Sequence, residues 1–231
     1  MINKFIISPP FGSYISHKNA TSVVGTYTYV PRSGKAIQAL KTLRYTELGW
    51  VNKIGLKNPG IKSIKLWDMS KIYSISGIID YITWHGMLEY IPSEIMVEMN
   101  LSCPNVKDAE LVNDWVITRY CKTFPITILK ISPLSTISDI KYYYELGAQY
   151  FHISNTLPTE RGGLSGRELQ KYTLPLIEQA KNYFSNIKII GGGGIYTSDD
   201  LRRYSDAGSD YFSLATVWFT PWRALKLLNQ Q

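Results

Sequence analysis

The chain has 231 residues, of which 45% are hydrophobic and 19% charged, with a net charge of +7. This excludes a disordered polymer and leaves room for one domain with a sizeable core, but not for two catalytic domains. The positive balance permits an anionic partner (a phosphate-bearing cofactor, a carboxylate substrate or RNA), yet Lys and Arg are scattered, so a solvated basic surface is the simpler reading.

At the N-terminus, residues 1–10 hold too short an apolar stretch for a signal peptide, and no later run approaches the roughly 20 apolar residues needed to cross a bilayer. The stretch around Ile6–Ser13 reads as a first barrel strand or a preceding extended segment. Ser22–Tyr29 is β-branched and aromatic and reads as a strand. From about residue 71, short apolar runs alternate with helical patterns. Strands are predicted at Lys71–Ser76, Ile95–Leu101, Ile126–Ile131, Tyr150–Ser154, Ile187–Ile190 and Tyr211–Leu214. Helices follow them at Ile78–Tyr90, Ala109–Lys122, Ile137–Leu146, Gly166–Phe184, Ser198–Ala207 and Pro221–Leu228. Gly147 and Gly208 suit helix C-caps, and Pro221 suits a first helical turn.

Six β-then-α units in a row imply a parallel sheet. With two strands from the N-terminal part, the expected fold is α/β: a compact (β/α)8 TIM barrel over residues 1–231. Such barrels typically need about 250 residues, so the helices near the N-terminus must be trimmed. A doubly wound open sheet is the alternative, although no GxGxxG opens it. In a barrel, chemistry collects after the C-terminal ends of strands. The unusual residues do lie there: Asn100–Asn105, Lys130, Asn155-Thr156, Gly191–Gly194 and Ala215-Thr216.

Four consecutive glycines before a helix near Ser198 let backbone N–H groups approach a phosphate, and the helix dipole would favour it. Paired with the Ala215-Thr216 turn, they match the phosphate site after the last two strands of many barrels; a tight turn alone is the bland reading. Cys103 sits among polar, turn-forming neighbours, where a thiol with a tuned pKa can move protons. Cys121, inside an amphipathic helix, reads as buried and structural. The two do not form a CxxC pair, which suits a reducing, cytoplasmic setting. Lys130, at the end of an apolar strand, is placed to hold negative charge on a cofactor ring, unless it only snorkels to the rim. Arg161–Gly166 reads as a flexible loop. His17, His85 and His152 show no metal-ligand spacing and read as structural, so no metal is expected.

Taken together, these segments resemble the dihydroorotate dehydrogenase family. Glu98–Asn105 is similar to the family's catalytic loop in its cysteine form. Thr26-Tyr27-Thr28 with Pro31–Gly34 resembles the second-strand segment, and Asn52–Gly60 the substrate loop. Leu129–Pro133, Asn155-Thr156, Gly162–Gly166, Gly191–Ile195 and Ala215-Thr216 match in order. The resemblance implies FMN as cofactor and dihydroorotate as substrate in pyrimidine biosynthesis. Cys103 would take a proton while hydride passes to the flavin, with Lys130 beside the ring. Asn52, Asn100, Asn105, Asn155 and Thr156 would bind the substrate. Ser13, Gly163, Gly193, Gly194, Ala215 and Thr216 would join Lys130 around the cofactor. Fumarate, a quinone or NAD through a partner subunit are all compatible acceptors, and soluble relatives are often homodimers.

Two departures stand out. The family usually carries a lysine just before the Thr-x-Thr of the second strand; here that position is Gly25, with Lys35 and Lys53 nearby in sequence. The chain is also shorter than typical members, with a short stretch after Asn105. Two other readings therefore stay open. One is a reductase of another pyrimidine, as in the dihydrouridine synthases acting on tRNA, although no dense basic stripe for nucleic acid is visible. The other is a flavin-binding barrel without dehydrogenase activity.

Overall fold

The computed structural model describes residues 1–77, 81–102 and 112–230. In chain order the elements are β1 (Phe5–Ile7), β2 (Ala20–Tyr27), α1 (Lys35–Thr42), β3 (Arg44–Thr46), β4 (Gly49–Asn52), β5 (Ile72–Ile75), α2 (Tyr81–Tyr90) and β6 (Met96–Asn100). They continue with α3 (Asp114–Thr123), β7 (Thr127–Ile131), α4 (Ile137–Glu145), β8 (Tyr150–Ile153), β9 (Leu157–Thr159) and β10 (Gly162–Ser165). The chain then runs through α5 (Gln170–Tyr183), β11 (Lys188–Gly192), α6 (Ser198–Asp206), β12 (Tyr211–Leu214) and α7 (Pro221–Leu228).

Eight parallel strands close in the order β1-β12-β11-β8-β7-β6-β5-β2, which rules out the open sheet. The trimming near the N-terminus is real. A three-residue 3-10 turn, Phe11–Ser13, joins β1 to β2 where a barrel helix would stand. The longer β2–β5 connection holds α1 and the β3–β4 hairpin, which departs from the barrel wall altogether.

Along each strand the side chains alternate between two cores, as a period of two requires. Outward residues such as Ile75, Val97, Leu129, Phe151 and Ile189 pack with helix residues including Ile117, Tyr120, Ile177 and Leu227. Inward residues Ile6, Val23, Ile72, Met96, Ile128 and Ile190 form a separate hydrocarbon plug at the closed end. Each such side chain stabilises the fold by about 1.5–3 kcal/mol relative to exposure. Helix ends follow the chemistry of their residues. Asn113 accepts from the Val116 N–H at the start of α3, and Thr136 with Asp139 forms a capping box on α4.

Two expectations need correction. The Arg161–Gly166 segment is not a free loop: Gly162–Ser165 is a strand, paired antiparallel with β4 and β9. Glycine is a poor strand former in isolation, but a Cβ at Gly162 would lie 2.3 Å from the Asn52 carbonyl oxygen, so only glycine lets β10 lie against β4. The long helix also starts later than Gly166, because a 3-10 turn at Arg167–Leu169 precedes α5. Among the described residues no helix is long and apolar enough to cross a membrane.

Candidate functional site

At the C-terminal mouth of the barrel lies a cavity of about 530 Å³, within the range usual for small-molecule sites. Its walls come from strand ends and from the segments beyond them. Lys130 is the penultimate residue of β7, Asn155 and Thr156 follow β8, Gly193 and Gly194 follow β11, and Ala215 and Thr216 follow β12. Asn52, at the end of β4, completes the wall from outside the barrel. These eight residues, all named from sequence, therefore meet around one space.

The remaining candidates stand elsewhere. Asn100 is buried behind the wall, where its Oδ1 accepts from Asn155 Nδ2 at 3.0 Å. Ser13 is not part of the lining; its hydroxyl accepts from the Gly25 N–H at 3.1 Å. Gly163 likewise lies off the cavity, opposite Asn52 in the β4–β10 ladder. Cys103 and Asn105 lie outside the described residues. The chain just before them is tied to the site, because Asn155 Nδ2 also donates to the backbone carbonyl of Ser102.

The tetraglycine turn is held from behind. The Tyr204 hydroxyl, on α6, sits 2.7 Å from the carbonyls of both Gly192 and Gly193, and Gln170 Nε2 donates to the Gly194 carbonyl at 2.9 Å. The N–H groups of Gly193 and Gly194 have no acceptor among the described residues. Gly194 also has φ +71°, and a Cβ there would lie 2.4 Å from Arg167 Cα. The turn therefore presents bare backbone donors to the cavity, as an anion site requires. The expected help from the helix behind it is absent. Thr197 and Asp200 already cap α6, and the Asp200 carboxylate takes the N–H groups of Tyr196 and Thr197. That end of the helix is occupied by its own negative charge.

Above the hydrocarbon plug, the next inward residues are polar. Glu98 (β6) is wholly buried, accepts from Ser74 Oγ at 2.8 Å and pairs with His152 Nδ1 (β8) at 2.7 Å. Its other partner is the Lys130 ammonium at 3.8 Å. Burial alone would raise the Glu98 carboxyl, but Lys130, His152 and the Ser74 hydroxyl outweigh it and hold the carboxyl below the usual range. His152 is also wholly buried; burial first, then the Lys130 charge, keep its imidazole less basic than usual despite Glu98. With Glu98 ionised and the ring neutral, Nδ1 carries the proton, and Nε2 has no partner among the described residues.

Sequence reasoning read His152 as structural and gave Glu98 no role of its own. A usable signal was present: a carboxylate, a lysine and a histidine at inward positions of three consecutive predicted strands. Lys130 does not snorkel to the rim; it is 8% exposed and lines the cavity. Among the described residues the only other charged side chain in the lining is Lys35, from α1, whose Nζ lies 3.4 Å from the Tyr14 hydroxyl. No carboxylate lines the cavity among the described residues. Gly25 has φ +115°, and a Cβ there would lie 2.5 Å from the Ser74 carbonyl oxygen, so a lysine cannot replace it on this backbone. Burial pushes the Cys121 thiol up to about 11, in keeping with an inert structural cysteine.

The family model described as dihydroorotate dehydrogenase matches residues 147–230. Several curated relatives are catalytic subunits of dihydroorotate dehydrogenase B (NAD(+)). The protein from Listeria monocytogenes serotype 4a (strain HCC23) is 30% identical over 223 residues, covering 80% of this chain and 72% of its own length. That from Halalkalibacterium halodurans is 28% identical over 241 residues, covering 89% and 77%. Among solved structures, the ligand-free DHODH from Eimeria tenella superposes with a TM-score of 0.75 at 17% identity, over 98% of this chain and 82% of that one. At that identity the likeness supports the fold alone. With the 30% identity to the Listeria protein, the eight-stranded barrel and the ordered strand-end residues, the chain belongs to the dihydroorotate dehydrogenase family.

Proposed function

We propose that the protein is an FMN-dependent oxidoreductase that converts dihydroorotate to orotate, with residues 1–231 forming one FMN-binding barrel domain. The observation that carries this reading is the cavity itself. It has two lysines, no carboxylate among its described lining residues, and a turn of unused backbone N–H groups at one end. Such a lining suits a ligand that is anionic in more than one place, as a flavin phosphate beside a substrate carboxylate would be.

FMN, when bound, supplies the hydride-accepting ring. The chain's residues supply the rest. Gly193 and Gly194 donate backbone N–H groups to the phosphate, and the Thr216 hydroxyl, whose oxygen accepts from Tyr196 at 2.8 Å, keeps its own proton to donate there. Ala215 brings backbone to the same end. Lys130, in the cavity wall, would supply a positive charge able to stabilise the negative charge of a reduced flavin. Asn52 Oδ1 is engaged by the Ile54 N–H at 3.2 Å, leaving its Nδ2 as a donor to substrate. Asn155 is oriented by Asn100 and Ser102 and, with Thr156, faces the same space. Ser13 and Gly163 act from behind the lining by fixing the backbone of Gly25 and Asn52. Cys103 would accept the substrate proton, and Asn105 would be a further substrate-binding residue.

Anaerobic titration of the purified protein with dihydroorotate tests the reading. The flavin absorbance should bleach, and Cys103→Ala should bind flavin yet fail to bleach on the same timescale. A protein that carries no flavin and takes up none would overturn it. Gly25 favours one variation, a different pyrimidine substrate, because the cation usual at that position is missing; dihydrouracil bleaching the flavin in place of dihydroorotate would establish it. The relatives' names mention NAD(+), and we extend to this chain an NAD-linked acceptor on a partner subunit, in the cytoplasm. Turnover with fumarate or a quinone alone would argue against it.

A further inference from the structure

We propose that the Glu98–His152 pair is a positioning device that sets how far the Lys130 ammonium reaches into the cavity. The inference rests on the reading of Lys130 as the cation beside the flavin. Glu98, Lys130 and His152 stand on three consecutive strands, with Lys130 and His152 register partners across β7 and β8. The Glu98 carboxylate has two oxygens. One is held at hydrogen-bond distance by Ser74 and faces Lys130 at 3.8 Å; the other is held by His152 at 2.7 Å.

The asymmetry is informative. A wholly buried carboxylate and a nearly buried ammonium would normally close to direct contact, because neither is well solvated. Here the neutral imidazole and a hydroxyl satisfy the carboxylate in short hydrogen bonds. The ammonium is left at the edge of contact, among the residues lining the cavity. Ser74 is itself bonded to Thr26 at 2.9 Å, and Thr26 accepts from Asn100 at 3.3 Å, so the same network runs on to Asn155 at the cavity wall. The carboxylate is thus anchored from two sides and cannot follow the lysine.

Opposite changes should follow from the two partners. His152→Phe removes one anchor, so Glu98 turns to Lys130 and draws the ammonium back. Glu98→Gln removes the attraction and frees the ammonium toward the cavity. Two readouts separate this idea from the assignment of function. The first needs no flavin: modification of Lys130 by a small amine-directed reagent, followed by peptide mass spectrometry. It should be several-fold slower in His152→Phe and several-fold faster in Glu98→Gln. The second is the potential of bound flavin. It should fall in His152→Phe and rise in Glu98→Gln by about tenfold in the oxidised-to-reduced ratio, or ~30 mV for two electrons.

His152→Gln, which keeps a donor for Glu98, should restore wild-type behaviour in both, and His152→Leu serves if the Phe variant does not fold. Equal modification rates in all variants, or shifts of the same sign for Glu98→Gln and His152→Phe, would overturn the proposal. Absence of flavin in the wild type would sink the functional reading while the modification rates still decide this one.

Discussion

Ile128 and Lys130 are two residues apart on β7 and point into the same barrel, yet their surroundings differ in kind. Ile128 belongs to the closed-end plug with Ile6, Val23, Ile72, Met96 and Ile190. One layer higher, Lys130 faces Glu98, which Ser74 and His152 hold, and on the far side Ser8 and Ser213 share a 2.6 Å hydrogen bond. The lower layer holds the barrel shut by removing hydrocarbon from water. The upper layer buries charge, which on its own costs stability and persists only because each group is paired. Stability and chemistry are thus divided between adjacent layers of the same strands.

Mutation of the upper layer should strike function hardest. Lys130→Met is expected to slow flavin reduction by dihydroorotate by about 10²–10³-fold, the usual loss when one stabilising donor is removed, in stopped-flow measurements. Ile128→Ala, one layer down, should cost about 2–5 kcal/mol in urea unfolding while leaving turnover per folded molecule nearly unchanged. If Ile128→Ala instead abolished flavin reduction at full folding, the division between layers would fail. Gly194→Ala should weaken FMN binding by about tenfold or more in fluorescence titration, because the added Cβ meets the Arg167 backbone and the strained φ moves the donor turn.

Acid should dissolve the distinction from the upper layer first. His152 is less basic in the fold than when exposed, so below about pH 6.5 the unfolded chain takes up a proton that the folded chain refuses. Glu98 is more acidic in the fold, so its contribution is full above the usual carboxylate range and drains as pH falls through and below it. Each group should steepen the loss of unfolding free energy by up to about 1.4 kcal/mol per pH unit within its window. His152→Gln should flatten the first window and spare the second. The smallest effect is expected from Lys35→Gln, about threefold in affinity for orotate and diminishing with added salt, since Lys35 is half-buried at the mouth.

Much of this was legible before any coordinates. The β-then-α alternation after residue 71 required a parallel sheet, and the position of Lys130 near a strand's end and of Asn155 and Gly193 after strands placed them at one mouth once the sheet closed. Local patterning could not show which glycines serve packing. Gly162 reads as flexible until Asn52 is found 2.3 Å from where its Cβ would be. Helix polarity was equally misleading at Thr197, since Asp200, three residues on, consumes the free amides that the dipole argument counted.

What the sequence by itself determined, then, is the succession of elements and the residues at their ends, because periodicity and caps are local. Only the tertiary structure decided that Glu98, Lys130 and His152 form one charged cluster, that β10 is a strand, and that Lys35 reaches the cavity. The cluster joins residues far apart in sequence, 22 for Lys130 with His152 and 54 for Glu98 with His152. A buried charge acquires its meaning from partners that lie on other strands, and only closure of the barrel supplies them.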